Sequence, residues 1–180
     1  MAPRAKTCLR AGLRIEAGGR PEESVRCVRV GIEGALPKAF GLERSAVRDA
    51  GRFFAAWSRA RIGNPRWHEV LVHLVDDAMS DRIHRAVMGI PGATDVVTQA
   101  YDSIPPEAPG ICGEIFVNVD QALRAAPKRA GWSAGKELLL YVAHGMDHLS
   151  GADDHSDEGY RAMRRRELGW IRRFCEGCAK

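Results

Sequence analysis

No apolar run in the sequence approaches the roughly 18 residues that a helical membrane span needs. The opening stretch M-A-P-R-A-K-T-C-L-R-A-G-L-R is basic but has no apolar segment of the kind a secretory signal carries. Glu16, Glu22 and Glu23 follow too soon for an acid-poor transit peptide. These absences point to a cytoplasmic protein whose residues 1–24, rich in Arg, Ala and Gly, form a flexible extension. Cysteine is scarce and odd in number: Cys8, Cys27, Cys112, Cys175 and Cys178 are scattered and form no disulfide framework. Cys175-Glu-Gly-Cys178 is a lone C-x-x-C, with no second pair, in a short C-terminal tail over 175–180. With three tyrosines in the chain, nothing resembles an aromatic platform for stacking bases. No internal repeat is present. Neither sign of charge dominates: 27 Lys+Arg against 23 Asp+Glu give +4, a mild lean towards a polyanionic partner that does not by itself identify nucleic acid.

What is there describes one ordinary globular domain over residues 25–174, long enough for a proper core. Val25–Ile32 places Val28, Val30 and Ile32 on one face, as a strand does. A helix capped by Ser45 runs to about Arg61 with Val47, Phe53, Phe54 and Trp57 inward, and Gly63-Asn-Pro65 breaks it. Trp67–Val75 is the clearest strand; His68 and His73 have opposite parity in it, one for the surface and one for packing. A short helix over Met79–Met88, a turn, and a strand over Thr94–Ala100 follow. Ser103–Gly110, with three prolines, is a loop, and Gly113–Val119 is the next strand. Asp120 caps a short helix that Pro127 ends. Ser133 caps the main helix, whose stretch Leu138–Ala143 is apolar almost all round and belongs in the middle of the domain. The last helix, from Asp157 to about Phe174, turns Met163, Leu168 and Ile171 inward and Arg161, Arg164, Arg165 and Arg166 outward. The expected fold is α+β: a single sheet of about four strands covered by helices, with a central buried helix.

That central helix ends in the most informative stretch of the chain, A-H-G-M-D-H-L-S-G-A-D-D-H from Ala143 to His155. His144 and His148 are four residues apart and project from one helical face. Gly151 allows the helix to stop in a left-handed cap. Asp153, Asp154 and His155 then fold back towards the two imidazoles. Two nitrogens on a rigid rod and a third donor on the returning loop are the anatomy of a zinc site with one open position. Such an ion makes hydroxide available at neutral pH and polarises a carbonyl or phosphoryl oxygen, so the chemistry is hydrolysis. A metallopeptidase would carry H-E-x-x-H, the Glu being the general base; here that position is Gly145, and Asp147 lies on another part of the helix surface.

The same motif resembles H-G-x-x-H-L-x-G-Y-D-H of the YbeY family of bacterial endoribonucleases, the rRNA maturation factors. L-V-D-D at 74–77, G-A-T-D-V-V-T at 92–98, G-E-I-F-V at 113–117 and M-R-R-R-E at 163–167 occur in the order of similar segments in that family. The resemblance covers about Val25 to Phe174. It implies a zinc-dependent, single-strand-specific endoribonuclease acting in 16S rRNA 3′-end maturation and ribosome quality control, with rRNA and the ribosomal subunit as partners and no DNA or membrane. Under it, His144 and His148 are the first two ligands of one Zn2+. The family's third histidine falls at Asp154; His155, one residue later, is the expected third ligand, with Asp154 as the alternative. The family's arginine before P-T-D-V falls at Met88, and Arg85, one turn earlier, is the catalytic candidate for gripping phosphate. Glu114 stands where the family has aspartate and is expected to be structural; Thr94 and Asp95 are expected to stabilise a turn, with the orientation of a loop near the metal as the alternative. The loss of an arginine at 88 also motivates a binding-only alternative, a zinc-stabilised ribosome-associated protein.

Overall fold

The computed structural model describes residues 28–61, 67–101 and 111–178. The expected 1–24 extension, Cys8, Cys27, the Gly63-Asn-Pro65 break and the 103–110 loop lie outside the described residues. Four strands, β1 (Arg29–Glu33), β2 (Trp67–Val75), β3 (Val96–Tyr101) and β4 (Ile111–Asn118), form one sheet in the order β1-β2-β4-β3. β1, β2 and β4 run parallel, and β3 is antiparallel to β4. The helices are α1 (Arg44–Arg61), α2 (Asp77–Met88), α3 (Val119–Ala125), α4 (Ala134–Leu149) and α5 (Asp157–Cys178). This is the expected α+β sheet covered by helices. Among the described residues, no helix is long and apolar enough to cross a membrane.

Alternation along the strands explains the layering. Val30, Val70, Val72, Leu74, Ile115 and Val117 point to one face and are buried there under α1 and α4. α4 lies in the middle of the domain, with Leu138, Leu140 and Met146 fully buried, each side chain contributing roughly 1.5–3 kcal/mol of burial. Gly145 and Gly113 permit this close approach. A Cβ on Gly145 would come 2.4 Å from Ile115 Cγ2, and one on Gly113 would come 2.7 Å from Leu149. On the other face His73 stacks on Phe116 at 4.6 Å and lies 3.1 Å from Glu114, which also accepts from the Tyr101 hydroxyl. His73 is thus a packed residue and Glu114 a structural one; the side chain of His68 lies outside the described residues.

Local chemistry moves some of the expected boundaries. Arg44 already belongs to α1, its guanidinium bonding the carbonyls of Ile32 and Gly34, so Ser45 lies inside the first turn. Asp76 caps α2, accepting from Met79 N at 2.8 Å, which starts that helix two residues before Met79. α3 is capped by Asn118, which accepts from Gln121 N at 3.0 Å. Asp120, the expected cap, instead accepts from Asp77 N and ties α2 to α3. Ser133 caps α4 as expected, accepting from Lys136 N. α5 continues through Cys175 to Cys178, so the stretch expected to be a tail is helical there. Its inward line is Met163, Glu167, Trp170 and Ile171. Leu168, expected inward, is exposed, because it lies well outside that stripe at 100° per residue.

Candidate metal centre

The centre forms where α4 stops. The Ser150 N–H bonds back to the carbonyls of Met146 and Asp147. Gly151 adopts φ +79° and its N–H donates to His148 O at 2.8 Å, and the Ala152 N–H donates to Asp147 O at 3.1 Å. This tight reversal brings Asp154 back over the helix end. His144 Nε2 lies 3.1 Å from His148 Nε2 and 3.6 Å from Asp154 Oδ2; His148 Nε2 lies 3.8 Å from Asp154 Oδ1. Ligands at zinc-like bond lengths in a tetrahedron stand roughly 3.3–3.6 Å from one another, and these three donors, at 3.1, 3.6 and 3.8 Å, lie within a few tenths of an ångström of that spacing, so the group could hold one ion.

The opposite nitrogen of each ring decides the tautomer. His144 Nδ1 is 2.6 Å from Glu167 Oε1 and His148 Nδ1 is 3.1 Å from Ala152 O. A carboxylate and a carbonyl only accept, so in both neutral rings Nδ1 carries the hydrogen and Nε2 carries the lone pair. Two imidazole lone pairs and a carboxylate therefore converge with no hydrogen between them. Glu167, fully buried on α5, orients His144 as outer carboxylates orient metal-binding histidines. Burial pulls the His144 pKa down, but the Glu167 bond and the charges of Glu167, Asp95 and Asp154 outweigh it and hold it above the usual imidazole value.

The remaining candidates fall in different places. His155 is turned outward with its side chain 86% exposed, 3.6 Å from Asp153; it shares a second, exposed grouping with Asp153 and Asp154 but is not grouped with the two histidines. Arg85 is 61% exposed on α2 and pairs with Asp81, one turn earlier. Met88 is exposed. Thr94 and Asp95 lead into β3: Asp95 Oδ1 accepts from Thr94 Oγ1 and Val96 N, and Thr94 O accepts from Ser80 and Asn118, which ties this segment to α2 and to the end of β4. Of the three consecutive arginines only Arg165 faces solvent. Arg166 makes a two-pronged contact with the buried Asp147, and Arg164 turns towards Glu167. Glu167, Arg164 and the Asp147–Arg166 pair are parts of the site that residue spacing alone does not announce. The signal for Glu167 was a carboxylate four residues after Met163, on the apolar stripe of α5.

The Gly145 position, where a peptidase of this motif carries its base, faces Ile115 and the sheet, so a side chain there would enter the core and not the metal centre. Asp147, the other nearby carboxylate, is engaged by Arg166. Gly145→Ala is expected to destabilise the fold by about 1–3 kcal/mol through overpacking, despite alanine's higher helix propensity, and thermal unfolding measures it. A melting temperature equal to or above the parent's would mean that α4 does not sit against β4 this closely.

The family model described as Endoribonuclease YbeY matches residues 45–174. The chain belongs to the YbeY family. Among curated members, it is 36% identical over 115 residues to Endoribonuclease YbeY of Arthrobacter sp. (strain FB24), covering 61% of this chain and 70% of that one. It is 37% identical over 98 residues to the YbeY of Rhodopirellula baltica, covering 54% and 49%. The YbeY of Chlamydia abortus is 33% identical over 102 residues, covering 55% and 65%. The match thus spans from about half to about two thirds of these relatives' lengths. The solution structure of TM1509 from Thermotoga maritima superposes with a TM-score of 0.50 at 21% identity over 82% of this chain and 88% of that one, a likeness of fold.

Proposed function

We propose that this YbeY-family chain is a metal-dependent endoribonuclease, using one Zn2+ to hydrolyse phosphodiester bonds of single-stranded RNA in rRNA maturation. The observation that carries the metal is the meeting of His144 Nε2, His148 Nε2 and the Asp154 carboxylate, both rings being held in the tautomer that presents a lone pair. Two imidazoles and one carboxylate are a borderline-soft donor set that suits zinc, and three protein donors leave a position open. When bound there, such an ion supplies hydroxide at neutral pH and polarises a phosphoryl oxygen. In this reading Asp154, and not His155, completes the ligand set. Glu167 and Ala152 O keep the two rings aimed, and the negative charge of Asp95 acts on His144 as well.

The RNA substrate rests on family membership, the 16S rRNA 3′ end and the ribosomal subunit as partner rest on the sequence resemblance, and the cytoplasmic location is the expectation drawn from the composition of the sequence. Arg85 remains the candidate for gripping phosphate. Its ion pair with Asp81 is a surface one, screened by water, so the guanidinium is readily released to an RNA phosphate. The test is cleavage of a labelled single-stranded RNA carrying a 16S 3′-end precursor, by the parent and by His148→Ala purified in parallel, each with zinc and with chelator. Cleavage by the parent alone, abolished by chelator, is expected. Equal traces from both proteins would be contaminating nuclease; with zinc still bound by the parent, the binding-only role motivated by Met88 would take its place.

A further inference from the structure

Behind the metal centre lies a second pair of buried charges. Glu167 uses Oε1 to hold His144, while its Oε2 is buried and has no hydrogen-bond partner. Arg164, three residues earlier on α5, keeps only 20% of its side chain exposed, and its Nε and Nη1 are likewise buried and unpartnered. The two orphans face each other: Arg164 Nη1 is 3.5 Å from Glu167 Oε2. On its outer side Arg164 lies against the Tyr160 ring at 5.5 Å. A fully buried carboxylate is expensive to keep ionised without a cation, and an unpaired guanidinium at this depth is expensive too. Each is the other's remedy. Arg166, the neighbouring arginine, is already committed to Asp147.

We propose that Arg164 is a positioning residue of the metal centre: it holds the Glu167 carboxylate in the orientation that fixes the tautomer and direction of His144. The chain of contacts is Arg164 to Glu167, Glu167 to His144 Nδ1, and His144 Nε2 to the ion. The last link rests on the reading of His144 as a metal ligand; the first two do not. Without Arg164, the carboxylate turns towards whatever donors or water it finds, and the His144 ring is no longer held with Nε2 aimed at His148 and Asp154.

The test compares the parent with Arg164→Met, which keeps the stem and removes the charge, and Arg164→Lys, which keeps a cation. In metal-free protein, above the imidazole titration range, nitrogen NMR reads which ring nitrogen of His144 carries the hydrogen. The parent is expected to show Nδ1–H alone, the methionine variant a mixture of tautomers, and the lysine variant the parent pattern. Zinc affinity, measured by chelator competition, is expected to fall 10–100-fold in Arg164→Met. It should be largely restored in Arg164→Lys, because the approach to Glu167 is a single charged contact and not a bidentate fork. If the methionine variant does not fold, Arg164→Gln is read in the same way. An unchanged His144 tautomer together with unchanged zinc affinity, even with a lower melting temperature, would overturn the proposal and leave Arg164 a packing residue. A parent that takes up no zinc would overturn the metal reading, and the tautomer comparison would still decide Arg164's part.

Discussion

Asp154→Ala is expected to lower zinc affinity on the order of a hundredfold or more, while His155→Ala leaves it within about twofold of the parent. The lower bound follows from outer residues of metal sites, whose loss alone costs about 10–100-fold; a direct donor should cost at least as much. Residue chemistry on its own favours His155, since imidazole is the commoner partner of two other histidines. Register favours Asp154, six residues after His148, where the family's third histidine falls. The geometry sides with register. Reversal of the chain begins at once, with the Gly151 N–H on His148 O and the Ala152 N–H on Asp147 O. Asp154 consequently faces both imidazoles within 3.8 Å, while His155 points to solvent beside Asp153. Asp154→His should retain the metal, since it restores the donor type without moving its place. Isothermal titration with zinc, run on all three variants, checks this. Retention in Asp154→Ala with loss in His155→Ala would mean that the loop rearranges around the ion to bring His155 in.

Periodicity carried the architecture, because each element has a face the core requires. β2, α4 and the alternation in β4 are legible in the apolar spacing, and the His144/His148 pair follows from helical geometry. What could not be read were choices between chemically similar groups a few residues apart. Asn118 and Asp120 are both good caps; Asp120 lost the role because Asp77 N, 43 residues away in sequence, offers it a hydrogen bond. The run Arg164-Arg165-Arg166 reads as a solvated face, yet it straddles the buried line of Met163 and Glu167. At 100° per residue its two ends flank that line and only its middle points away. Those ends meet Glu167 and Asp147, so they became part of the support of the centre. A carboxylate on an apolar stripe looks like a flaw in the pattern until its partner is known, and that partner, His144, lies on another helix.

Arg166→Met is the substitution expected to cost most in stability. Asp147 is fully buried on α4, one residue before His148, and Arg166 reaches it with Nη2 at 2.6 Å and Nε at 3.0 Å from Oδ2. Removing one member of a buried pair costs about 3–5 kcal/mol, because the remaining charge loses its two-pronged cation in a medium that solvates it poorly. Arg166 keeps 30% of its side chain exposed, so water can reach part of the gap and roughly 2–4 kcal/mol is the better expectation. For a chain of this size that corresponds to a fall in melting temperature of roughly 5–15 °C. Asp147→Asn combined with Arg166→Met should be less destabilised than Arg166→Met alone, since no buried charge then lacks its cation; equal or greater loss in the double variant would show that packing, and not the ion pair, is what the arginine supplies. The damage should also reach the metal centre. Asp147 O accepts from Ser150 and Ala152 at the start of the loop that delivers Asp154, so loosening this residue loosens the third donor. Zinc added to Arg166→Met should therefore raise its melting temperature, because binding the folded state pulls the equilibrium towards it. That rise should be smaller than the parent's at the same zinc concentration.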